Sequence, residues 1–288
     1  MIEFLRIPGA AIALAGVLGL IVGSFLNVVI LRLPARLMHD WRQQSRDLLE
    51  LDEAGADAAP PGIVREPSHC PHCKHRLGAL ENIPLLSWLA LRGRCRHCKA
   101  PISIQYPLVE LLCGVCSAAV VWHFGFGWQA GAGLLLTWVL IALAGIDVRT
   151  QLLPDQLTLP LLWLGLLISL QSLFVAPSTA IIGAAIGYLS LWSVYWLFKL
   201  LTGKEGMGYG DFKLLAALGA WMGPFALLPM ILLSSLIGAI VGGTFLAIQG
   251  KDRATPIPFG PFIAAAGWMW FVFNDPLSAI YRTLFGFA

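Results

Sequence analysis

The stretch AAIALAGVLGLIVGSFLNVVIL at residues 10–31 decides the class of this protein. It is an uninterrupted apolar run of about the 20 residues that a helix needs to span a bilayer. The hydrophobic region of a signal peptide is shorter, about 7–15 residues, and its positive charge precedes it. Although Arg6 precedes this run, Arg32 and Arg36 follow it. We therefore expect a retained first transmembrane helix with its N-terminus outside.

The composition of the whole chain also indicates a membrane protein. Of its 288 residues, 58% are hydrophobic and 12% are charged, and the mean hydropathy is +0.76. Soluble domains carry about 25% charged residues, so we predict an all-α polytopic membrane protein with about eight transmembrane helices. The predicted spans are 10–31, 106–123, 129–146, 157–175, 179–200, 212–222, 226–249 and 258–274. The net charge of +3 does not by itself indicate any class of partner. We expect membrane lipid, and no nucleic acid, as a partner.

The distribution of lysine and arginine predicts the orientation. Seventeen of the 19 lie in four segments that an eight-span topology places on one side of the membrane. These segments are 32–105, 147–156, 199–213 and 250–257. Because basic residues concentrate in cytoplasmic loops, we expect these loops inside and both termini outside. The predicted division is a first helix (1–31), a cytoplasmic loop (32–105) and a transmembrane core (106–288). Within the loop, 42–62 indicates a polar helix followed by a flexible Ala/Pro/Gly linker.

The cytoplasmic loop carries two cysteine pairs, CPHC at 70–73 and CRHC at 95–98. Two such pairs can supply four thiolates to a tetrahedral zinc ion, and an all-cysteine set is typical of a closed structural site. The predicted ligands are Cys70, Cys73, Cys95 and Cys98. Four nearby histidines are alternative ligands: His69, His72, His75 and His97. A redox role for either pair is the other interpretation. A third pair, Cys113 and Cys116, lies in the second span and is predicted to pack there.

Four carboxylates lie in or beside the apolar spans: Glu110, Asp147, Asp155 and Asp211. Ionisable groups at this depth are candidates for function. The predicted topology places Asp147 and Asp211 near the cytoplasmic membrane face, where two helix ends could bring them together. Two adjacent carboxyl groups can share a proton and hydrolyse a peptide bond; a proton pathway in a transporter fits the spacing equally well. Asp155 is predicted to cap the fourth span, and the role of Glu110 is left open.

The segment GMGYGDFK at 206–213 places three glycines before Asp211. Helix capping requires no such run, whereas irregular backbone beside a carboxylate could admit an extended peptide. Lys213 could orient a carboxylate or extend to the membrane surface. At 23–27, GSFLN indicates helix packing by small residues, with Asn27 hydrogen-bonded to a neighbour.

These motifs together resemble a known family. GYGD at 208–211 matches the GxGD motif of intramembrane aspartyl proteases, and it occurs with GIDVRTQLLPD at 145–155, the two cysteine pairs and GSFLNVVILRLP at 23–34. The combination resembles the bacterial type IV prepilin peptidases, multifunctional enzymes of type IV pilus and type II secretion systems, over about residues 16–262. The resemblance implies an inner-membrane aspartyl protease whose catalytic residues are Asp147 and Asp211.

The resemblance also implies two reactions. The first cleaves the basic leader of prepilins and pseudopilins after a glycine, at the cytoplasmic face of the membrane. The second is a methyltransferase reaction, in which S-adenosyl-L-methionine methylates the freed N-terminal amine, usually of phenylalanine. The resemblance implies that the first loop, including Gly93, contributes to methyl transfer. Two rivals remain from the residues alone: a transporter that relays protons through Asp147 and Asp211, and a zinc-containing assembly scaffold.

Overall fold

The computed structural model describes residues 8–50, 58–64, 66–249 and 257–285. Residues 51–57 of the predicted linker and 250–256 of the last predicted cytoplasmic loop lie outside these ranges. Within them the chain forms helices and no strand beyond two isolated β-bridges. The helices are α1 (Pro8–Leu48), α2 (Leu86–Ala90), α3 (Gln105–Phe124), α4 (Trp128–Thr150), α5 (Asp155–Ser169), α6 (Pro177–Thr202), α7 (Tyr209–Met222), α8 (Leu227–Gln249) and α9 (Gly260–Phe285).

Every predicted span coincides with a helix, but the helices differ in their capacity to cross a membrane. Five of those described are long and apolar enough for it: α1, α3, α4, α6 and α8, the last counted from Pro224. Helix α5 is apolar but has only 15 residues. Helix α7 has 14 residues, which is about 21 Å of helix against a hydrocarbon core of about 30 Å. It ends at Gly223, whose φ is +79°, followed by Pro224. The structure therefore supports a polytopic helical protein without establishing eight complete spans.

The chain divides into two compact units, Met1–Phe126 and Gly127–Ala288. In the first unit α1 packs along α3, and glycines make the close approach possible. A Cβ atom on Gly23 would lie 2.7 Å from Cα of Glu110, and one on Gly114 would lie 2.8 Å from Cδ2 of Leu20. Small residues at crossing helices are typical of membrane helix pairs. Cys113 is fully buried at this contact, in agreement with its predicted packing role.

Helix α1 continues well past the predicted span, for 41 residues in all. At 1.5 Å per residue this is about 60 Å, roughly twice the hydrocarbon thickness. The guanidinium of Arg32 on this helix donates to the carbonyls of Gly62 (2.6 Å), Glu66 (2.9 Å) and Pro67 (3.3 Å). These bonds attach the segment that leads into the cysteine module to the side of α1.

The cysteine module consists of two turns of the same design, CPHCK at 70–74 and CRHCK at 95–99. In the first, the N–H of Lys74 donates to the carbonyl of Cys70; in the second, Lys99 donates in the same way to Cys95. Both lysines are left-handed, with φ of 59° and 58°. The short sequence repeat is thus a structural repeat, which places the two cysteine pairs opposite each other.

The second unit is organised around α7, which packs against α5, α6 and α9. All but four of its 14 residues are buried. Its contact with α6 is made backbone to backbone, because Gly183 on α6 faces Gly219 on α7 and neither position has room for a Cβ atom. The first turn of α7, which carries Asp211, is thereby held inside the unit.

Candidate functional site: a buried aspartate pair and a four-cysteine cluster

Asp147 lies near the C-terminal end of α4, where the sequence predicted it. The helix ends at Thr150, and the left-handed Gln151 (φ 54°) donates its N–H to the carbonyl of Asp147 at 2.8 Å. The Asp147 side chain turns inward and is 5% exposed. Its Oδ2 atom accepts a hydrogen bond of 3.0 Å from the backbone N–H of Gly260. The chain segment at the start of α9 therefore fixes this carboxyl group.

Asp211 lies in the first turn of α7, after the extended Gly208. Its backbone N–H donates to the carbonyl of Gly208 at 3.2 Å, and its side chain is 7% exposed. A helix N-terminus carries partial positive charge, which favours a carboxylate. Within the described residues, however, the Oδ1 atom of Asp211 is buried and has no hydrogen-bond partner. A buried acceptor without a partner costs about 1–3 kcal/mol, so this atom is suited to a proton, water or substrate group.

The structure brings the two predicted aspartates together. Their carboxyl groups interact electrostatically across the space between α4 and α7. Two interacting carboxyl groups this well buried cannot readily both ionise, which is the condition under which a pair can hold one proton. The arrangement is chemically that of an acid–base pair, in which one group accepts a proton while the other donates one.

Leu153 packs against the backbone on both sides of this pair, at Gly210 and at Gly260. It lies in the turn between α4 and α5 and is buried. A Cβ atom on Gly210 would lie 2.7 Å from Cβ of Leu153, and one on Gly260 would lie 3.1 Å from its methyl groups. Gly206 faces the ring of Phe198 in the same way, at 2.9 Å. Two of the three motif glycines thus accommodate side chains of this chain rather than leaving open room, which corrects our expectation; at Gly208 a Cβ atom would meet only ordinary contacts.

Asp155 does not cap α5, contrary to the prediction. Pro154 occupies the cap position, and the Asp155 side chain makes no capping bond. The ammonium group of Lys213 donates instead to both carboxylate oxygens of Asp155 at 2.7 Å. Lys213 therefore neutralises a carboxylate, as considered from the sequence, but it is Asp155 and not either member of the buried pair.

The four predicted cysteine ligands meet in the module of the first unit. All four Sγ atoms lie within 4.8 Å of one another, with 3.8 Å between Cys70 and Cys98 and 4.0 Å between Cys73 and Cys95. A tetrahedral ion with metal–sulfur bonds of about 2.3 Å places its sulfur atoms about 3.8 Å apart. The cluster therefore has the donor set and the dimensions of a four-thiolate metal site.

The electrostatics of the thiols agree with such a site. Backbone hydrogen bonding from Cys73 and His72 lowers the pKa of the Cys70 thiol to about 6. At Cys73 the backbone of His75 acts in the same direction, but desolvation and the three neighbouring sulfurs outweigh it and raise the pKa to about 11. Four thiolates so close together repel one another, and a divalent cation is what removes that repulsion.

Gly93 lies in the turn that precedes the second cysteine pair, and its own geometry requires glycine. Its φ is +67°, and a Cβ atom would lie 2.9 Å from the Trp88 ring. Its carbonyl accepts a hydrogen bond of 2.8 Å from Ile102. Beside it is an open cavity of about 400 Å³ with a strongly basic lining. The lining residues are Leu91, Arg92, Arg94, Cys95 and Lys99.

Two family models match the chain, one within each of its two compact units. Residues 17–124 match the bacterial peptidase A24 N-terminal domain, and residues 134–243 match the type IV leader peptidase family. The cysteine cluster lies in the first match and both aspartates in the second. The chain belongs to the type IV leader peptidase family.

Curated members of the family resemble the chain over nearly its full length. Three of them are named prepilin leader peptidase/N-methyltransferase. The protein from Stutzerimonas stutzeri is 59% identical over 97% of both chains, and that from Xanthomonas campestris pv. campestris is 57% identical over 94% of both. The protein from Pseudomonas aeruginosa is 53% identical over 97% of this chain and 96% of its own. No solved structure gives a significant match.

Neither the role of Gly260 nor the pairing of Lys213 with Asp155 was predicted from the sequence of this family member. Gly260 lies 113 residues from Asp147, and only the fold brings them together. The signal that could have indicated it is PIPFGPF at 256–262, where a single glycine between prolines and phenylalanines opens a helix. Such a glycine often marks a close approach of backbone to another group.

Proposed function

We propose that this protein is a membrane-embedded aspartyl peptidase that removes the basic leader of prepilins and pseudopilins, and that it then methylates the new N-terminal residue. The single observation that carries the cleavage reaction is the buried, interacting pair of Asp147 and Asp211. Family membership and the names of its relatives support the same substrate and both activities.

In the proposed cleavage step, the pair holds one proton between its carboxyl groups. The ionised carboxylate takes a proton from a water molecule, which attacks the scissile carbonyl, while the protonated carboxyl group donates to the carbonyl oxygen. The Gly260 N–H keeps Asp147 in place during this exchange. The unpartnered Oδ1 of Asp211 provides the acceptor for the water or for the substrate hydroxyls of the intermediate.

The proposed topology is the one indicated by the basic residues. The eight predicted spans all enter the bilayer, both termini are periplasmic, and the aspartate pair faces the cytoplasm at the inner membrane surface. A prepilin has a basic leader followed by an apolar helix, so its cleavage site lies at this same height. The basic cavity beside Gly93 carries the wrong charge for such a leader; its cations suit phosphate groups of anionic lipids.

The direct test uses a prepilin co-expressed with the wild-type protein and with variants. Replacing either aspartate, D147N or D211N, should lower the cleavage rate at least about 100-fold, since each removes one half of the acid–base pair. The matched control is D155N, which removes a carboxylate whose ion pair is half exposed and worth little.

Cleavage is followed as the loss of the leader on a gel or by mass spectrometry. Normal processing by D147N or D211N would contradict the role of the pair. Wild-type protein that leaves prepilins at full length would contradict the proposed function as a whole and favour a transporter or scaffold.

We also propose that the cysteine cluster binds one structural Zn²⁺ through Cys70, Cys73, Cys95 and Cys98. The sulfur spacing and the donor set support zinc. A closed all-thiolate shell leaves no open position for catalysis, so the ion would stabilise the two turns and with them the loop around Gly93.

For the second reaction we propose S-adenosyl-L-methionine as the methyl donor. When bound it supplies an electrophilic methyl group on a positively charged sulfur. The resemblance alone points to Gly93, whose role we propose to be the shape of the turn that it forms. The cavity next to it is lined by three cations and suits a carboxylate group but not a sulfonium.

A further inference from the structure

A second group of polar side chains lies at the crossing of α1 and α3 in the first unit. It consists of the partly buried Ser24 and the buried Asn27 on α1, and the buried Glu110 on α3. Asn27 is 1% exposed and Glu110 is 7% exposed. Gly23 touches the backbone of Glu110, so the three side chains surround one close contact between the helices. The proposed cleavage step uses none of them.

The orientation of the Asn27 amide is fixed by its neighbours. Its Nδ2 atom donates to the carbonyl of Gly23 at 3.3 Å and to that of Tyr106 at 3.1 Å. Because a carbonyl can only accept, the NH₂ group must face these two atoms. The Oδ1 atom then points away from them, and within the described residues it is buried without a partner. The predicted hydrogen bond of Asn27 exists, but it satisfies only half of the amide.

The Glu110 carboxylate lies at the same crossing of α1 and α3 as the Asn27 amide. One carboxylate oxygen accepts the N–H of Leu85 at 2.8 Å, and the Ser24 hydroxyl lies next to the carboxylate. Leu85 has a φ of +59°, a conformation that costs a leucine about 1–3 kcal/mol. Among the described residues Glu110 has no lysine or arginine partner. The crossing therefore holds a carboxylate and an unpartnered amide oxygen but no cation.

We infer that Ser24, Asn27 and Glu110 bind a primary ammonium group, the new N-terminus of the processed pilin, and that Glu110 accepts a proton from it. This inference rests on the proposed function, since only cleavage creates that amine. A protonated amine has three donors and one positive charge, which match the amide oxygen, the carboxylate and the hydroxyl oxygen.

Proton removal is needed because an ammonium has no lone pair. Transfer of one proton to Glu110 leaves a neutral amine and a neutral carboxyl group. Methyl transfer then forms a carbon–nitrogen bond, breaks the carbon–sulfur bond of the donor and releases the sulfur as a neutral thioether. The methylated nitrogen carries the positive charge, and Glu110 returns its proton to water. The step requires no redox partner.

The first experiment separates charge from structure with the variant E110Q. A glutamine can still accept the hydrogen bond from Leu85 but cannot take a proton. We expect prepilin cleavage at the wild-type rate and methylation lowered at least about 100-fold, both read by mass spectrometry of the pilin. The matched control is D40N, which removes a half-exposed carboxylate from the same unit.

The second experiment measures binding without any methyl donor. A synthetic peptide that begins with the processed pilin N-terminus is titrated into the purified full-length protein, with its N-acetylated form as the control. We expect the free-amine peptide to bind at least about tenfold more tightly than the acetylated one, and this difference to disappear in E110Q. S-adenosylhomocysteine, which also carries a primary amine, is titrated into the same two proteins.

The outcomes are distinct. Weakened peptide binding together with lost methylation and normal cleavage supports the inference. If E110Q weakens only S-adenosylhomocysteine binding, the pilin amine is not the ligand and the assignment is overturned. Normal methylation in both E110Q and S24A, or loss of cleavage along with methylation, would likewise overturn it, since the cluster would then serve the fold. Absence of cleavage by the wild-type protein would be a failure of the proposed function instead.

Discussion

The residues around the buried aspartate pair differ in how well the sequence alone could identify them. Asp147 and Asp211 were identifiable from the sequence because carboxylates are rare in apolar helices and the predicted topology places both near the same membrane face. Gly260 was not identifiable, because its value lies in an N–H group that every residue but proline has. What distinguishes it is the missing side chain: a Cβ atom there would lie 2.7 Å from Oδ2 of Asp147.

We predict that G260A lowers prepilin cleavage at least about tenfold. The added methyl group would displace the Asp147 carboxyl group from its hydrogen bond, and a shift of this size at a catalytic group is costly. The control is G243A, at a helical position with nothing within 4 Å of the added atom. Cleavage by G260A at the wild-type rate, measured at equal protein levels, would show that Asp147 does not depend on this contact.

Helices were the part of the structure that the sequence predicted best, since apolar runs bounded by glycine and proline indicate them directly. Their ends were less predictable. The polar helix predicted from residue 42 exists, but it is continuous with the first span as one helix that ends at Leu48. Asp155 does not cap α5, because Pro154 occupies the cap position and Lys213 on α7 holds the Asp155 carboxylate, a contact between helices that local sequence does not show.

The contact between α6 and α7 leads to a prediction about stability. A methyl group on Gly183 would meet the backbone of Gly219, which cannot move aside as a side chain could. We expect G183A to lower the free energy of unfolding by about 1–3 kcal/mol, seen as a lower melting temperature of the purified protein in detergent. G131A, on the open face of α4, should melt like the wild type; equal melting of G183A would show that the helices can separate at no cost.

Two parts of the molecule differ in what stabilises them. The unit 127–288 has a large buried core around α7, whereas the cysteine module within the first unit has only short turns and few buried side chains. The sequence predicted which four cysteines cluster because CxxC spacing is a local pattern. The sequence also repeats CxHCK at 70–74 and 95–99, but the shared fold of the two five-residue turns shows only in their matching hydrogen bonds.

We predict that metal removal affects the two reactions unequally. Purified protein should contain about one zinc ion per chain, and C95S should contain less than half of that, since one lost thiolate opens the shell. Methylation should fall at least about tenfold in C95S while prepilin cleavage persists. Metal content is measured by atomic emission and the products by mass spectrometry. C113S, which alters a buried cysteine outside the cluster, should retain its zinc.

The length of α1 has a mechanical consequence. The 41-residue helix contains Pro34, where a backbone hydrogen bond is lost and the helix can bend, so it does not act as one stiff rod. Arg32 lies on the apolar side of Pro34 and bonds to the segment that leads into the cysteine module. A change of bilayer thickness that alters the tilt of the apolar part would therefore move this segment with it, while the polar part beyond Pro34 could keep its own direction.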